Sequence, residues 1–145
     1  MIANDRVQAA IVAFLKADTA LTAWLTARSA GSEIREAQWQ GTIFSYPAVR
    51  VDLGTQLPDG LGTCYTSNGQ IPFTVYSYSE HDSSQQADQL AHLVNNALFG
   101  KQISGGTGFT TGLVKSDGLV SATRLAERLW RAGGFYRVNI YGTKT

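Results

Sequence analysis

Apolar and polar residues alternate most regularly in the stretch from Gln70 to Gly100. Ile71, Phe73 and Val75 fall on one side of the chain and Thr74 and Tyr76 on the other, the two-residue period of a half-buried strand. After a short polar break, Ala87, Leu90, Ala91, Val94, Ala97 and Leu98 recur at spacings of three and one, which places them on one face of a helix. Asp82 is placed to cap its first turn, with Gln85 completing a capping box, and Gly100 to end it in the left-handed conformation. A strand delivered directly into an amphipathic helix predicts a sheet-plus-helix core around which the rest of the chain packs.

The same pattern extends to both ends. Val7, Ala10, Ile11, Phe14 and Leu15 form the apolar face of a first helix, capped by Asn4 or Asp5. Asp18 and Thr19 interrupt it and open a second short helix, 19–28, whose buried side is Leu21, Trp24 and Leu25. A short strand is expected within 33–39. Tyr46-Pro47 opens a clearer one, in which Val49, Val51 and Leu53 alternate with Arg50 and Asp52. Residues 54–69, with four glycines and no periodicity, read as a hairpin loop far longer than the two to five residues a hairpin needs. Residues 104–112 read as a second glycine- and threonine-rich loop. A strand over 119–127, with Val120, Ala122, Arg124 and Ala126 on one face, then leads to a connection at 129–134 with a Gly-Gly turn. A last strand over 135–141 turns Tyr136, Val138 and Ile140 one way. The expected fold is α+β: a two-layer sandwich, its mainly antiparallel sheet packed against one long helix, with two N-terminal helices.

Composition narrows the function classes. At 145 residues the chain is expected to be one domain, 1–145, burying roughly 68–70% of its unfolded surface. Net charge is only +1, so no electrostatic argument favours nucleic acid or an anionic membrane. No run approaches the ~18 apolar residues of a membrane span, and no secretory signal is expected. The one cysteine, Cys64, leaves no intramolecular disulfide and suits a reducing compartment.

Catalytic chemistry is hard to find. His81 and His92 lie eleven residues apart with no cysteine or paired carboxylate at ligand spacing. Cys64 lacks a nearby base in sequence. Ser104-Gly105-Gly106-Thr107-Gly108 lacks the Gly-Lys-Ser/Thr ending of a phosphate loop. Arg124, Arg128 and Arg131 with Trp130 read as a solvated strand end or an ion-paired contact before a phosphate site. No catalytic residue, metal or cofactor is expected, and the protein is read as not an enzyme.

The order of elements is similar to the tail-terminator, or tail-completion, family of long-tailed bacteriophages and gene-transfer particles. The resemblance rests on Val7-Gln8-Ala9-Ala10-Ile11-Val12-Ala13-Phe14-Leu15 followed by Ala17-Asp18-Thr19-Ala20-Leu21, and on Tyr46-Pro47-Ala48-Val49-Arg50-Val51. It continues in Phe73-Thr74-Val75-Tyr76-Ser77-Tyr78-Ser79 running into Gln86-Ala87-Asp88-Gln89-Leu90-Ala91, and in Phe135-Tyr136-Arg137-Val138-Asn139-Ile140. The loops 54–69 and 104–112 depart from the family pattern.

The resemblance implies a structural virion protein located in the tail or neck and made in the host cytoplasm. It would form a homo-oligomeric ring, usually a hexamer, that caps the tail tube, ends its polymerisation and joins it to the head connector. Its partners would be the major tail tube protein and the head connector or head-closure protein. DNA would pass through the lumen without being read, and no membrane is involved. The alternatives are a head–tail connector or head-closure protein, or a small ligand- or peptide-binding module. Edge strands and long loops are the natural docking surfaces. The expected contact residues are Leu57, Pro58, Asp59, Leu61 and Tyr65 in the long loop, with Arg128 and Arg131 near the last strand.

Overall fold

A computed structural model describes residues 3–28, 33–41, 45–58, 69–104 and 108–142. Among these are three helices and seven strands: α1 (Asn4–Lys16), α2 (Thr19–Thr26), β1 (Ile34–Glu36), β2 (Ala48–Leu53), β3 (Leu57–Pro58), β4 (Gly69–Glu80), α3 (Gln85–Leu98), β5 (Phe109–Thr111), β6 (Lys115–Ala126) and β7 (Leu129–Gly142). The strands form one sheet in the order β1-β2-β4-β7-β5, with β3 also on β4 and β6 also on β7. The fold is α+β, and its mostly antiparallel sheet curls into a half-barrel in place of the expected two-layer sandwich. The only parallel pairing among the described strands is β1 with β2, Ile34 opposite Val49.

The core follows from the two periods. Along β4 every second residue, Ile71, Phe73, Val75, Ser77 and Ser79, is buried, and the residues between are half-buried. On α3 the buried residues are Ala87, Leu90, Ala91, Val94, Ala97 and Leu98, the face that the sequence predicts. Leu90, Val94, Ala97 and Leu98 pack with Val7, Ile11 and Leu15 of α1, Leu21 and Leu25 of α2, and Tyr136, Val138 and Ile140 of β7. Ala87 and Ala91 meet Ala132 of β7 in a smaller cluster. Phe73 and Tyr136 stack across neighbouring strands at 5.5 Å between ring centroids.

Helix ends divide between expectation and correction. Asp18 caps α2, its carboxylate accepting the amide of Leu21 at 2.9 Å, and Gly100 takes the left-handed conformation at φ +73°. Asp82 does not cap α3. That helix starts at Gln85 after Ser84, without a side-chain cap, and Asp82 is ion-paired with Arg128 instead. Neither Asn4 nor Asp5 caps α1; both lie inside it, and Ala3 precedes it.

Four readings of the strands also change. Arg50 belongs to the face expected to be polar, yet it is buried and paired with Glu33, with the Trp39 ring 5.6 Å from its guanidinium and β1 alongside β2 in the sheet. Pairing with β4 resumes after β2 at Leu57 opposite Gln70, so the hairpin connection shortens to 59–68, outside the described residues. Within 104–112, Phe109–Thr111 is a strand on β7. The Gly-Gly pair makes no turn. Gly133 and Gly134 lie inside β7, opposite Tyr76 and Val75; a Cβ on Gly134 would stand 2.7 Å from the Tyr136 hydroxyl, and one on Gly133 2.8 Å from the Val75 carbonyl oxygen. These glycines make room for neighbouring chains, a long-range demand that no local pattern reveals.

Candidate assembly surface

The most prominent surface is the β6–β7 hairpin. β7 is hydrogen-bonded to β4 along one side for twelve residues, from Leu129 to Ile140. β6 rides on the other side of β7, with register shifts between Ser116 and Gly118, Val120 and Thr123, and Arg124 and Ala126. Almost every residue of β6 is exposed, including Leu119, Val120 and Leu125. Burial therefore does not hold this strand in place; its connections do.

Those connections are polar and specific. The hairpin turns at Glu127 and Arg128, and Arg128 takes a left-handed φ of +61°. The carbonyl of Arg128 accepts the amide of His81 at 2.8 Å, Trp130 donates its Nε1–H to the carbonyl of His81 at 3.1 Å, and Arg128 is ion-paired with Asp82. Farther down, the amide of Ala122 donates to the Asp88 carboxylate at 3.0 Å. Both ties end on the β4–α3 corner or on α3, so the hairpin is fixed to the helix that organises the core.

Strand register sets the outward face. Thr74 opposes Phe135, Tyr76 opposes Gly133 and Tyr78 opposes Arg131, and directly opposed residues share a face. The Arg131 guanidinium stands over the Tyr76 ring at 4.9 Å from its centroid, Tyr76 and Tyr78 are 6.2 Å apart, and Phe135 is exposed. Tyrosine, phenylalanine and arginine gathered on one surface are the residue types enriched at protein–protein contacts.

The expected contact residues do not form one site. Leu57 is 55% exposed and, with Pro58, pairs to the first residues of β4. Arg128 lies beside His81, just past the last residue of β4. A twelve-residue strand separates the two groups by roughly 36 Å. Arg131 is on the outward face near Arg128 in sequence but turned to Tyr76. Asp59, Leu61 and Tyr65, like Cys64, lie outside the described residues. The exposed apolar residues of β6, together with Phe99 and Leu113, were not anticipated. A leucine on a strand without a buried face carries no periodic signature that marks it as surface.

Among the described residues, no three His, Cys, Asp or Glu side chains converge on a common point. His81 is exposed and its Nδ1 accepts the amide of Ser83 at 3.3 Å. Burial raises the pKa of Tyr136 above its ordinary value. Tyr46 is raised as well, by burial first and then by the charges of Glu80 and Tyr78.

No family model matches the sequence, and no curated protein matches it either. The fold is similar to that of a chain in a solved structure of the virion of a native gene transfer agent particle, with a TM-score of 0.71 and 20% sequence identity. The match covers 94% of this chain and 95% of that one. At this identity the likeness is one of fold, and it runs from end to end.

Proposed function

We propose that this chain is a non-enzymatic structural subunit of a phage-like or gene-transfer virion. It acts as a tail terminator: copies assemble into a ring, hexameric in the family it resembles, that caps the tail tube, stops its growth and joins it to the head connector. The observation that carries this reading is the end-to-end likeness in fold to a chain of a gene transfer agent virion. The exposed β6–β7 hairpin and its tyrosine–arginine face supply surface for neighbouring subunits, the major tail tube protein or the connector. In this reading Leu57 and Pro58, at one end of β4, contact a neighbouring subunit or the tube together with the loop residues Asp59, Leu61 and Tyr65, and Arg128 and Arg131 lie at the other end of β4. DNA passes the ring without sequence recognition, held only by salt-sensitive contacts.

Mass in solution together with class-averaged electron micrographs tests the reading. A closed ring of defined copy number is the expected result. A monomer that neither assembles nor binds the ends of tail tubes overturns it.

A further inference from the structure

Two surfaces at opposite edges of the sheet complement each other. The first lies where the C-terminus of α3 meets the start of β6. The amide of Gly100 donates to the carbonyl of Val114 at 2.9 Å, and the amide of Val114 to the carbonyl of Lys101 at 2.9 Å. Gln102 bridges to Leu113. This pairing brings the segments bearing Phe99 and Leu113 together, 57% and 61% exposed, the largest exposures among the apolar side chains described. Lys101 and Lys115 flank them, both exposed. The nearest carboxylate along either segment, Asp117, is already engaged with Arg137, 3.0 Å from its Nε though not aligned as a hydrogen bond. The surface is apolar with a cationic rim.

The second surface is an open groove of about 530 Å³ between α1 and β1. It is lined by Ala9, Val12, Ala13 and the polar Gln8, which is tied to the Val51 carbonyl, and its charged rim is Asp5, Glu36 and the single cation Lys16. None of these residues belongs to the buried face of α1, which is Val7, Ala10, Ile11 and Leu15. Val12 is half-buried against the core and Ala9 and Ala13 are exposed, so the groove presents a second, partly covered apolar strip on the helix, with two carboxylates at its edge.

We infer that copies of this chain join head to tail, Phe99 and Leu113 of one seated in the α1–β1 groove of the next, with Lys101 and Lys115 against Asp5 and Glu36. The inference rests on the ring reading and specifies the contact that builds it. Because β1 is at one edge of the sheet and β5 and β6 are beside the other, the contact uses two different patches. Such a heterologous contact builds a ring when its rotation closes, as the ring reading requires, where a self-complementary patch stops at a dimer.

Sedimentation velocity over a concentration series at low salt tests the inference on the full chain. Lys101→Glu with Lys115→Glu, and separately Asp5→Lys with Glu36→Lys, is expected to raise the concentration for half-assembly by about tenfold or more. The four changes together restore it. All four side chains lie outside the core, and circular dichroism verifies that each variant folds. Cysteine pairing supplies an independent readout in a Cys64→Ser background. A mixture of Leu113→Cys and Ala9→Cys chains is expected to form an intermolecular disulfide that neither forms alone. Rings that persist unchanged under both reversals, or a disulfide in Leu113→Cys alone, overturn the contact and leave the ring reading standing; Phe99 and Leu113 then face another partner, such as the tail tube. A chain that stays monomeric at every concentration overturns both.

Discussion

The guanidinium of Arg50 meets the carboxylate of Glu33 at 2.9 Å between Nη2 and Oε2, with both residues 5% exposed or less. Arg50 Nη1 also donates to the carbonyls of Glu33 and Val49, each at 2.9 Å. The pair joins β2 to the residue just before β1 and so closes the parallel edge of the sheet.

Removing one partner is expected to cost more than removing both. Arg50→Met leaves a buried carboxylate whose one remaining cation among the described residues is Arg35, at 3.9 Å, and should lower stability by ~3–5 kcal/mol. Glu33→Leu combined with Arg50→Met removes the uncompensated charge and should recover much of that loss. Chemical denaturation of the two single variants and the double variant checks the order. A double variant as unstable as the sum of the singles would show that the pair is held by packing and not by charge.

The long helix provides the simplest contrast. Leu90 is buried at the centre of its apolar face and Gln89, one residue before, is exposed. Leu90→Ala should cost ~2–5 kcal/mol through lost transfer energy and the cavity left behind. Gln89→Ala should stay within about 0.5 kcal/mol. Equal shifts in melting temperature would mean that the face is misassigned.

Glycines in the β-rich half divide by what surrounds them. Gly133→Ala forces a Cβ against the fixed Val75 carbonyl, and Gly134→Ala forces one against the buried Tyr136 ring. Each is expected to cost ~1–3 kcal/mol by overpacking. Gly112→Ala meets nothing closer than 3.7 Å and should change stability by no more than about 0.5 kcal/mol. Thermal melts of the three variants give the comparison, and a loss at Gly112 as large as at Gly133 would refute it.

Alkaline pH should weaken the fold through its buried phenols. Burial raises the folded-state pKa of Tyr136 above the value of about 10 it has in the unfolded chain. Between those two values the unfolded chain has released a proton that the folded chain retains, so stability falls as pH rises. The contribution is intact below about pH 10 and is lost above it; Tyr46 adds an effect of the same sign. Tyr136→Phe loses the hydrogen bond to Asn95 Oδ1, 3.3 Å away, at a cost of ~0.5–1.5 kcal/mol near neutrality. In return, its melting temperature should decline less steeply above pH 10 than that of the parent. The slopes of the two curves decide the matter: parallel declines would clear Tyr136.

What could be read from the sequence and what could not differ for a physical reason. The buried face of α3, the alternation in β4 and the inward set Tyr136, Val138 and Ile140 were legible because one side of each element is covered and the other is not. β6 is exposed along almost its whole length, Ala122 aside, so its first residues, Lys115 to Gly118, carried no strand signal. Its turn, Glu127 and Arg128, contains none of the residues that usually mark a hairpin, while Gly133 and Gly134, which do, lie in mid-strand. Arg50 looked like surface because its partner, Glu33, is seventeen residues away. Phe99 and Leu113, with Lys101 and Lys115, lie far apart in sequence and become one patch only through the Gly100–Val114 pairing, which no spacing rule contains.

The three register shifts in β6 set a limit on how copies of the chain can associate. The longest run of β6 in step with β7 is three residues, Gly118 to Val120. A foreign strand laid along its outer edge would lose step before it had gained more than a few backbone bonds, and each bulge also twists the edge away from it. Edge-to-edge, fibril-like stacking of sheets along β6 is therefore disfavoured even where copies are crowded together, as they would be in the proposed ring. In the proposed ring the count of copies is left to side-chain contacts, which saturate once each copy has its two neighbours.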